Sequence, residues 1–178
     1  MKFVIHIFLF FMSFAACFFG AMNKALWMGL SVSVTACVVA VLLTSYRRRV
    51  DFFKITFIII MGCTFEVING RLGLYNYDIQ GRWPPVWLFS FWPTFSILFI
   101  DVLKFLYTKP FVLRYFVGFL GGMVYWNGEW LGLLSFKHDK VVMMFVFALT
   151  WAIEFIILLY SARVIDHNFA PSTARPQP

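Results

Sequence analysis

The sequence predicts an all-α fold, a six-helix transmembrane bundle with a short structured loop on its outer side. Hydrophobic residues make up 62% of the 178 residues, and charged residues make up only 13%. A helix needs about 20 apolar residues to cross a bilayer. Six segments meet this requirement: 3–22, 25–45, 52–69, 86–107, 111–134 and 141–162. We therefore expect a single six-helix membrane domain over 1–163, followed by a disordered cytoplasmic tail over 164–178.

The basic residues favour one orientation of this bundle. If the amino terminus lies in the cytoplasm, most lysines and arginines fall on the inner side, and the strongest element is the arginine run 47–49 in a very short loop. Cytoplasmic loops of membrane proteins carry such an excess. We therefore expect both termini to be cytoplasmic. The net charge of +7 then suits anionic lipid headgroups, and we expect membrane lipids but no nucleic acid as partners.

The first two segments are predicted to be packing helices without chemistry of their own. Small residues such as Gly29 and Ser33 suit close contacts between helices. Residues 1–17 resemble a lipoprotein signal ending at Cys17, but Phe14 stands where a leucine-like residue is usual, so we interpret this segment as a helix. The three cysteines lie in apolar spans without a metal-ligand pattern, and we expect neither a metal nor a cofactor.

The third segment ends near Glu66 and is followed by a stretch rich in glycine, tyrosine and tryptophan. The glycines and a proline pair at 84–85 exclude a long helix over 70–85, so we expect a structured outer loop there. Proline also suits the first turn of the fourth helix. Within that helix Trp92 precedes Pro93, which is expected to kink the helix and could form a pocket wall.

Residues of the fifth segment repeat at intervals of four and three, which places them on one helix face: Gly118, Gly122, Tyr125, Glu129 and Gly132. Small residues at this spacing let another helix approach closely. We therefore expect Glu129 to face protein rather than lipid. The same face, through Gly118, Gly122 and Gly132, could also dock a partner membrane protein.

Two glutamates mark the candidate site. A charged side chain at the centre of a membrane helix costs roughly 2.5–3.5 kcal/mol, so it is seldom kept without a partner or a function. Glu66 and Glu129 lie at similar heights in the outer half of parallel helices, and we predict that they form a catalytic general acid/base or ligand-orienting pair. Polar and aromatic residues nearby are candidate ligand contacts: Asn69, Tyr75, Asp78, Trp92, Tyr125 and Asn127.

Each acidic residue also has a structural interpretation. The two glutamates could cap the outer loop by accepting hydrogen bonds from its backbone amides and tyrosines. Asp101 lies about one turn from Lys104, which favours an ion pair near the inner interface. Glu154 in the sixth helix is expected to form a hydrogen bond between helices.

The order of motifs between residues 66 and 132 resembles a family of small bacterial inner-membrane proteins defined as a domain of unknown function. The motifs are an acid closing one helix, Leu72-Gly73-Leu74-Tyr75, Pro85-x-Trp87-Leu88, Trp92-x-x-Phe95, Gly118-x-x-Gly121-Gly122 and Tyr125-x-x-Gly128-Glu129-x-Leu131-Gly132. The chain departs from the family where Ile100-Asp101 replaces an Asn-His pair. The resemblance implies a bacterial inner-membrane location and, through the lipid-modification genes associated with such relatives, a connection with lipids.

These observations lead to two functional hypotheses. The first is an inner-membrane protein that handles or modifies a membrane lipid or isoprenoid-like apolar ligand near the outer leaflet. The second is a non-catalytic partner or assembly subunit of a membrane complex. A small-solute transporter is disfavoured because the cytoplasmic halves of the helices contain few polar residues. Whether the protein is an enzyme is left open, since the sequence has no HExxH, GxSxG or phosphate-loop motif.

Overall fold

The computed structural model describes residues 2–44, 49–77 and 86–169, and this part of the chain is helical apart from one short β-ladder. The elements, in chain order, are α1 Lys2–Met22, α2 Leu26–Thr44, α3 Arg49–Arg71, β1 Tyr75–Asn76, α4 Val86–Asp101, a 3₁₀ helix Leu103–Thr108, α5 Phe111–Met123, α6 Tyr125–Trp130, β2 Ser135–Phe136 and α7 Lys140–Phe169. The predicted all-α class is therefore confirmed. Most of the expected outer loop, 78–85, lies outside the described residues.

Helix α4 occupies the centre of the bundle. It contacts α1, α2 and α3, while α1 also runs along α2 and α5 runs along α7. Helix α7 joins the two halves because it contacts α3 as well as α5. The largest fully buried side chains include Trp92 and Phe99 from α4 and Phe147 from α7. The core therefore lies between α4 and α7.

The glycine face of α5 packs against α7, which confirms that it faces protein. A Cβ atom on Gly118 would lie 2.8 Å from Phe155 Cβ, and one on Gly122 would lie 2.6 Å from Ala148 Cα. Only glycine allows the two helices to approach this closely. This is the face on which a partner protein was expected, and α7 of the same chain covers Gly118 and Gly122. Gly132 has open space around it but belongs to the turn after α6.

Helices α3 and α6 end in the same way. Gly73 and Gly132 have positive φ angles of 71° and 69°. After α3, the amides of Gly73 and Leu74 donate to the carbonyls of Gly70 and Asn69, and the turn after α6 has the equivalent pair of bonds. This is the Schellman arrangement, which a left-handed glycine permits at a helix end. Each turn leads directly into one strand of the β-ladder.

The two strands pair antiparallel, with Tyr75 opposite Phe136 and Asn76 opposite Ser135. They tie the segment after α3 to the segment before α7. We call this end of the bundle the loop end and the other the opposite end. The part of the predicted outer loop that the structure describes is therefore structured, as expected.

Three helix boundaries differ from those expected. The fourth helix ends at Asp101 and continues as the 3₁₀ helix, and the fifth is interrupted at Val124, just after the Gly121-Gly122 pair that weakens helix propensity. The last helix continues to Phe169, so residues 164–169, expected to be disordered, are helical. An ion pair between Lys54 of α3 and Asp166, with an N–O distance of 2.7 Å, attaches this extension to the bundle.

A second ion pair corrects the expected pairing of Asp101. The His6 Nδ1 atom on α1 lies 3.1 Å from the Asp101 carboxylate, and His6 is only 3% exposed. Lys104 is exposed and lies in the 3₁₀ helix that follows α4. Asp101 therefore connects α4 to α1.

Two of the described helices are long and apolar enough to cross a membrane, Val4–Met22 and Lys140–Phe169. Helices α2 and α4 contain shorter apolar stretches, Trp27–Leu42 and Leu88–Asp101. Helix α3 has the length but carries Asp51, Lys54 and Glu66 along its course.

Candidate functional site: a buried carboxylate beside an apolar cleft

Glu66 lies at the loop end of the core and is only 1% exposed. The Tyr75 hydroxyl donates a hydrogen bond to Glu66 Oε2 at 2.6 Å, and the Tyr125 hydroxyl donates to Oε1. One carboxylate thus joins α3, β1 and α6. This geometry matches the loop-capping interpretation of Glu66, and it brings together three of the residues selected from the sequence.

The tyrosines of the loop remain protonated donors. Burial and the charge of Glu66 raise the pKa of Tyr75 well above its ordinary value, and burial and Glu66 do the same to the pKa of Tyr77. Tyr77 also packs edge-to-face on Tyr75, with a centroid distance of 5.0 Å. A carboxylate surrounded by protonated hydroxyls is well satisfied as an acceptor.

A second buried acid lies next to this cluster. Asn69 Nδ2 donates to Glu154 Oε1 at 2.8 Å, which joins α3 to α7 and confirms the hydrogen bond between helices expected for Glu154. Asn69 lies three residues after Glu66 and shares its helix face, so one face of α3 holds both Glu66 and the residue that binds Glu154.

Glu129 forms a separate contact, with the first residue of α7. Its Oε2 atom lies 2.5 Å from the Lys140 ammonium, whose side chain is 44% exposed. The same ammonium lies 5.3 Å from the centre of the Trp126 ring. Because Lys140 begins α7, this cation closes the turn between α6 and α7. Glu66 and Glu129 share no hydrogen-bond partner among the described residues.

Of the three remaining predicted ligand contacts, the structure describes Trp92 and Asn127. Trp92 is 1% exposed, fills the space that a Cβ on Gly62 would occupy and stacks on Trp151 with a centroid distance of 5.8 Å, so it is a packing residue. Asn127 is exposed and forms no part of the cluster around Glu66. Asp78 lies outside the described residues. Within the described ranges, no group of three or more His, Cys, Asp or Glu side chains could hold a metal ion.

An apolar cleft of about 250 Å³ adjoins the cluster. Its lining comes mainly from α1, α4, α5, α6 and α7. Its walls are mainly aromatic and aliphatic side chains, among them Phe10, Phe14, Phe18, Phe91, Phe95 and Trp151. Tyr125 belongs to both features, since its ring lines the cleft and its hydroxyl binds Glu66.

The cleft extends along the helices for about half the depth of a bilayer. Its lining on α4 runs from Leu88 to Leu98. At 1.5 Å per residue this is about 15 Å, and the hydrocarbon core of a bilayer is about 30 Å thick. The cleft was not predicted from the sequence. The signal for it is that the phenylalanines of α1 at positions 10, 14 and 18 repeat every four residues and so share one helix face.

Comparison with known proteins places the chain in a family. No curated protein and no solved structure matches the chain. The model of one family, described as a protein of unknown function (DUF2878), matches residues 3–157, nearly the whole chain. The chain therefore belongs to the DUF2878 family, as the motifs between residues 66 and 132 predicted.

Proposed function

We propose that the protein is a six-helix integral protein of the bacterial inner membrane, with both termini cytoplasmic, that binds the apolar chain of a membrane lipid or isoprenoid-like molecule near the outer leaflet. The observation that carries this proposal is the aromatic cleft between α1 and α5. Catalysis is not needed for this function. In this function Glu66 has a structural role, because its hydrogen bond with the Tyr125 hydroxyl holds the Tyr125 ring in place as part of the cleft wall.

The outer surface of the bundle supports the membrane location. Large apolar side chains that are more than half exposed occur on α1, α2, α3, α5 and α7: Val4, Leu42, Ile60, Val112 and Ile153. Soluble monomers rarely expose contiguous apolar patches of more than a few hundred Å². Apolar side chains spread over five helices suit contact with lipid on all sides. They support the six spans that we propose, although only two helices of the described residues are long and apolar enough to cross a membrane.

The composition of the cleft supports an apolar occupant. Its walls offer a ligand almost no polar group, because the Tyr125 hydroxyl is already bound to Glu66. Water in such a space would lack the two to four polar partners that it needs. An apolar chain, by contrast, gains roughly 25 cal/mol for each Å² of surface that it buries.

Access to the cleft is from the side of the bundle. Phe11 of α1 lines the cleft and is also 60% exposed, so the lining reaches the outer surface. A chain from the surrounding bilayer can therefore enter between α1 and α5 without crossing water. Its depth of about 15 Å corresponds to one leaflet.

Photolabelling in nanodiscs tests the binding function. A fatty alcohol with a diazirine near the middle of its chain should label α1 and α5 at cleft residues. Val117→Trp adds a large ring to the cleft wall and should reduce labelling several-fold. Val112→Trp is the matched control, because Val112 lies on the same helix, is 77% exposed and does not line the cleft.

The two variants separate binding in the cleft from contact with surrounding lipid. Equal labelling of the wild type and both variants, or labelling spread evenly over the exposed surface, would mean that the cleft holds no chain. Melting curves of both variants establish that the bundle remains folded.

A further inference from the structure

We propose that the molecule bound in the cleft carries an acidic headgroup, a carboxylate or a phosphate, and that Arg114 binds this headgroup at the opposite end of the bundle. This inference rests on the proposed binding function and adds the chemical class and the direction of the bound molecule. It follows from a partly buried guanidinium that lies beside the cleft and has no acidic partner among the described residues.

Arg114 differs from the other partly buried cations in its surroundings. Among the lysines and arginines whose side chains the structure describes, only Lys54, Arg114 and Lys140 are not exposed. Lys54 pairs with two aspartates, and Lys140 pairs with Glu129. No carboxylate of the described residues forms an ion pair with Arg114, and its Nε atom is buried without a hydrogen-bond partner. A buried donor without an acceptor is costly, which favours a ligand that supplies one.

The chain itself has no other acid near this position. Of its eight Asp and Glu residues, only Asp78 lies outside the described residues. Asp78 directly follows Tyr77, whose ring packs on Tyr75 at the loop end. Arg114 is in the first turns of α5, near the opposite end. An acceptor for Arg114 therefore has to come from another molecule.

Arg114 lies at the margin of the cleft. It precedes Val117 by three residues and Gly121 by seven, so the three share one face within the regular part of α5. Val117 and Gly121 both line the cleft. At 1.5 Å per residue, Arg114 is only about 4.5 Å from Val117 along the helix axis. Because side chains of a helix tilt toward its N-terminus, the Arg114 side chain leads from the cleft toward the opposite end.

A guanidinium next to an apolar cleft suits an amphiphile with an oxyanion as its headgroup. Arginine binds a carboxylate or a phosphate through two parallel N–H donors. The hydrocarbon chain of the same molecule then buries its apolar surface against the aromatic lining of the cleft. A neutral alcohol or a cationic headgroup would leave the guanidinium without a charged acceptor.

The same geometry gives the bound molecule a direction. Its headgroup lies at the opposite end, which faces the cytoplasm in the proposed orientation, and its chain runs toward the loop end. Tyr125 follows Arg114 by eleven residues, which is about 16 Å along the helix at 1.5 Å per residue. The far part of the chain thus reaches the outer half of the membrane, where the proposed function places it.

Competition in the photolabelling assay tests the headgroup with four molecules of equal chain length. Hexadecanol is neutral, hexadecanoate and hexadecyl phosphate are anionic, and hexadecylamine is cationic. In the wild type, at least one of the anions should compete about tenfold more strongly than hexadecanol, because a hydrogen bond to a charged group contributes that much to affinity. Hexadecylamine should compete no better than hexadecanol.

The two anions distinguish the possible sources of the headgroup. Stronger competition by hexadecanoate would identify a fatty acid, and stronger competition by hexadecyl phosphate would identify a phosphate ester. Equal competition by both anions would show that the site binds either oxyanion. Each of these three results supports an acidic headgroup.

Arginine variants assign the preference to Arg114. Arg114→Gln should reduce the advantage of the anions over hexadecanol to about one, and Arg114→Lys, which keeps the charge but not the paired donors, should retain part of it. Arg163→Gln is the matched control, because Arg163 is an exposed arginine near the same end that does not line the cleft. It should keep the full advantage. Melting curves of the three variants establish that the bundle remains folded.

Two acidic probes test the direction of the chain. Hexadecanoate with a diazirine beside its carboxylate should label α5 near Arg114. The same acid with a diazirine at the end of its chain should label the region of Tyr125. The reverse pattern would overturn the assignment of the headgroup to Arg114.

The remaining outcomes separate this inference from the proposed function. Equal competition by the anions and hexadecanol in the wild type would overturn the acidic headgroup while leaving binding in the cleft intact. An advantage that persists in Arg114→Gln, or that is equally lost in Arg163→Gln, would mean that surface charge attracts the anions and that Arg114 has no special role. A probe that labels no cleft residue at all would overturn the binding function itself.

Discussion

Glu66 has the most completely satisfied side chain of the site, and its hydrogen bonds lead to a specific prediction. Its two oxygens accept hydrogen bonds from Tyr75 and Tyr125. Glu66→Gln replaces one acceptor with an amide donor that faces a hydroxyl donor. An unsatisfied buried group costs about 1–3 kcal/mol, so the variant should fold but melt at a lower temperature. Adding Tyr125→Phe should cost less than the sum of the two single changes, because the residues are in contact.

Glu129→Gln is the matched control for this substitution. Glu129 forms one ion pair with a lysine whose side chain is 44% exposed, and pairs of this kind contribute about 0–1 kcal/mol. The two glutamates have separate partners, so their effects on stability should add. A strongly non-additive double variant would show that the carboxylates form one site after all.

The local spacing of residues revealed part of the site, because Glu66, Asn69 and Tyr75 are close in sequence. Tyr125 was found through its place on the glycine face. The ion pair of Glu129 with Lys140 could not be predicted from helix spacing, because it depends on the turn that leads to Lys140. The exposure of Asn127 could not be predicted for a related reason, since the interruption at Val124 changes the direction of the residues that follow.

At the scale of the elements, hydrophobic length predicted all six long segments as helices. It did not predict the interruptions at Asp101 and Val124, because a length criterion does not register local changes in helix geometry. Nor could it predict the cleft. Helices α1 and α5 are far apart in sequence, and their separation depends on how α4 and α7 pack between them.

The contact between α5 and α7 predicts a large effect of Gly122→Leu. A Cβ at Gly122 already lies 2.6 Å from Ala148 Cα, so a leucine would force the helices apart. Overpacking of this kind costs typically 1–3 kcal/mol, and contact with backbone favours the upper part of that range. Thermal unfolding in detergent measures the effect. Gly70→Leu is the control, and an equal loss in both variants would mean that helix propensity, not packing, is responsible.

The extension of α7 predicts an effect at the opposite end of the bundle. Lys54 is 6% exposed and pairs with Asp51 at 3.3 Å and with Asp166 at 2.7 Å. Lys54→Met keeps the apolar stem but removes the charge, so the end of α7 should exchange its amide hydrogens faster. Lys104→Met, at an exposed lysine, should leave exchange in α7 unchanged. Unaltered exchange around Asp166 in Lys54→Met would show that packing alone holds this extension.

At the scale of the whole molecule, charge and apolar surface are arranged along the bundle axis. The ion pairs of Lys54 lie at the opposite end, the pair of Lys140 with Glu129 lies at the loop end, and exposed apolar side chains cover the region between them. This order suits the proposed membrane location, because charged groups are stable near the interfaces of a bilayer and costly at its centre. The buried carboxylates of Glu66 and Glu154 are compatible with this arrangement because each accepts a hydrogen bond from a neighbouring side chain.

This arrangement predicts the orientation of the protein in the membrane. The six spans that we propose would place both termini on one side, and the arginine run 47–49 should keep that side in the cytoplasm. A fluorescent-protein fusion after residue 178 should therefore fluoresce, and alkaline phosphatase inserted after His138, in the turn before α7, should be active. Replacing the three arginines with asparagine should weaken this preference, whereas Lys137→Asn, on the other side, should not. Phosphatase activity from a fusion at residue 178 would require an odd number of spans or the reverse orientation, and would place the cleft in the inner leaflet instead.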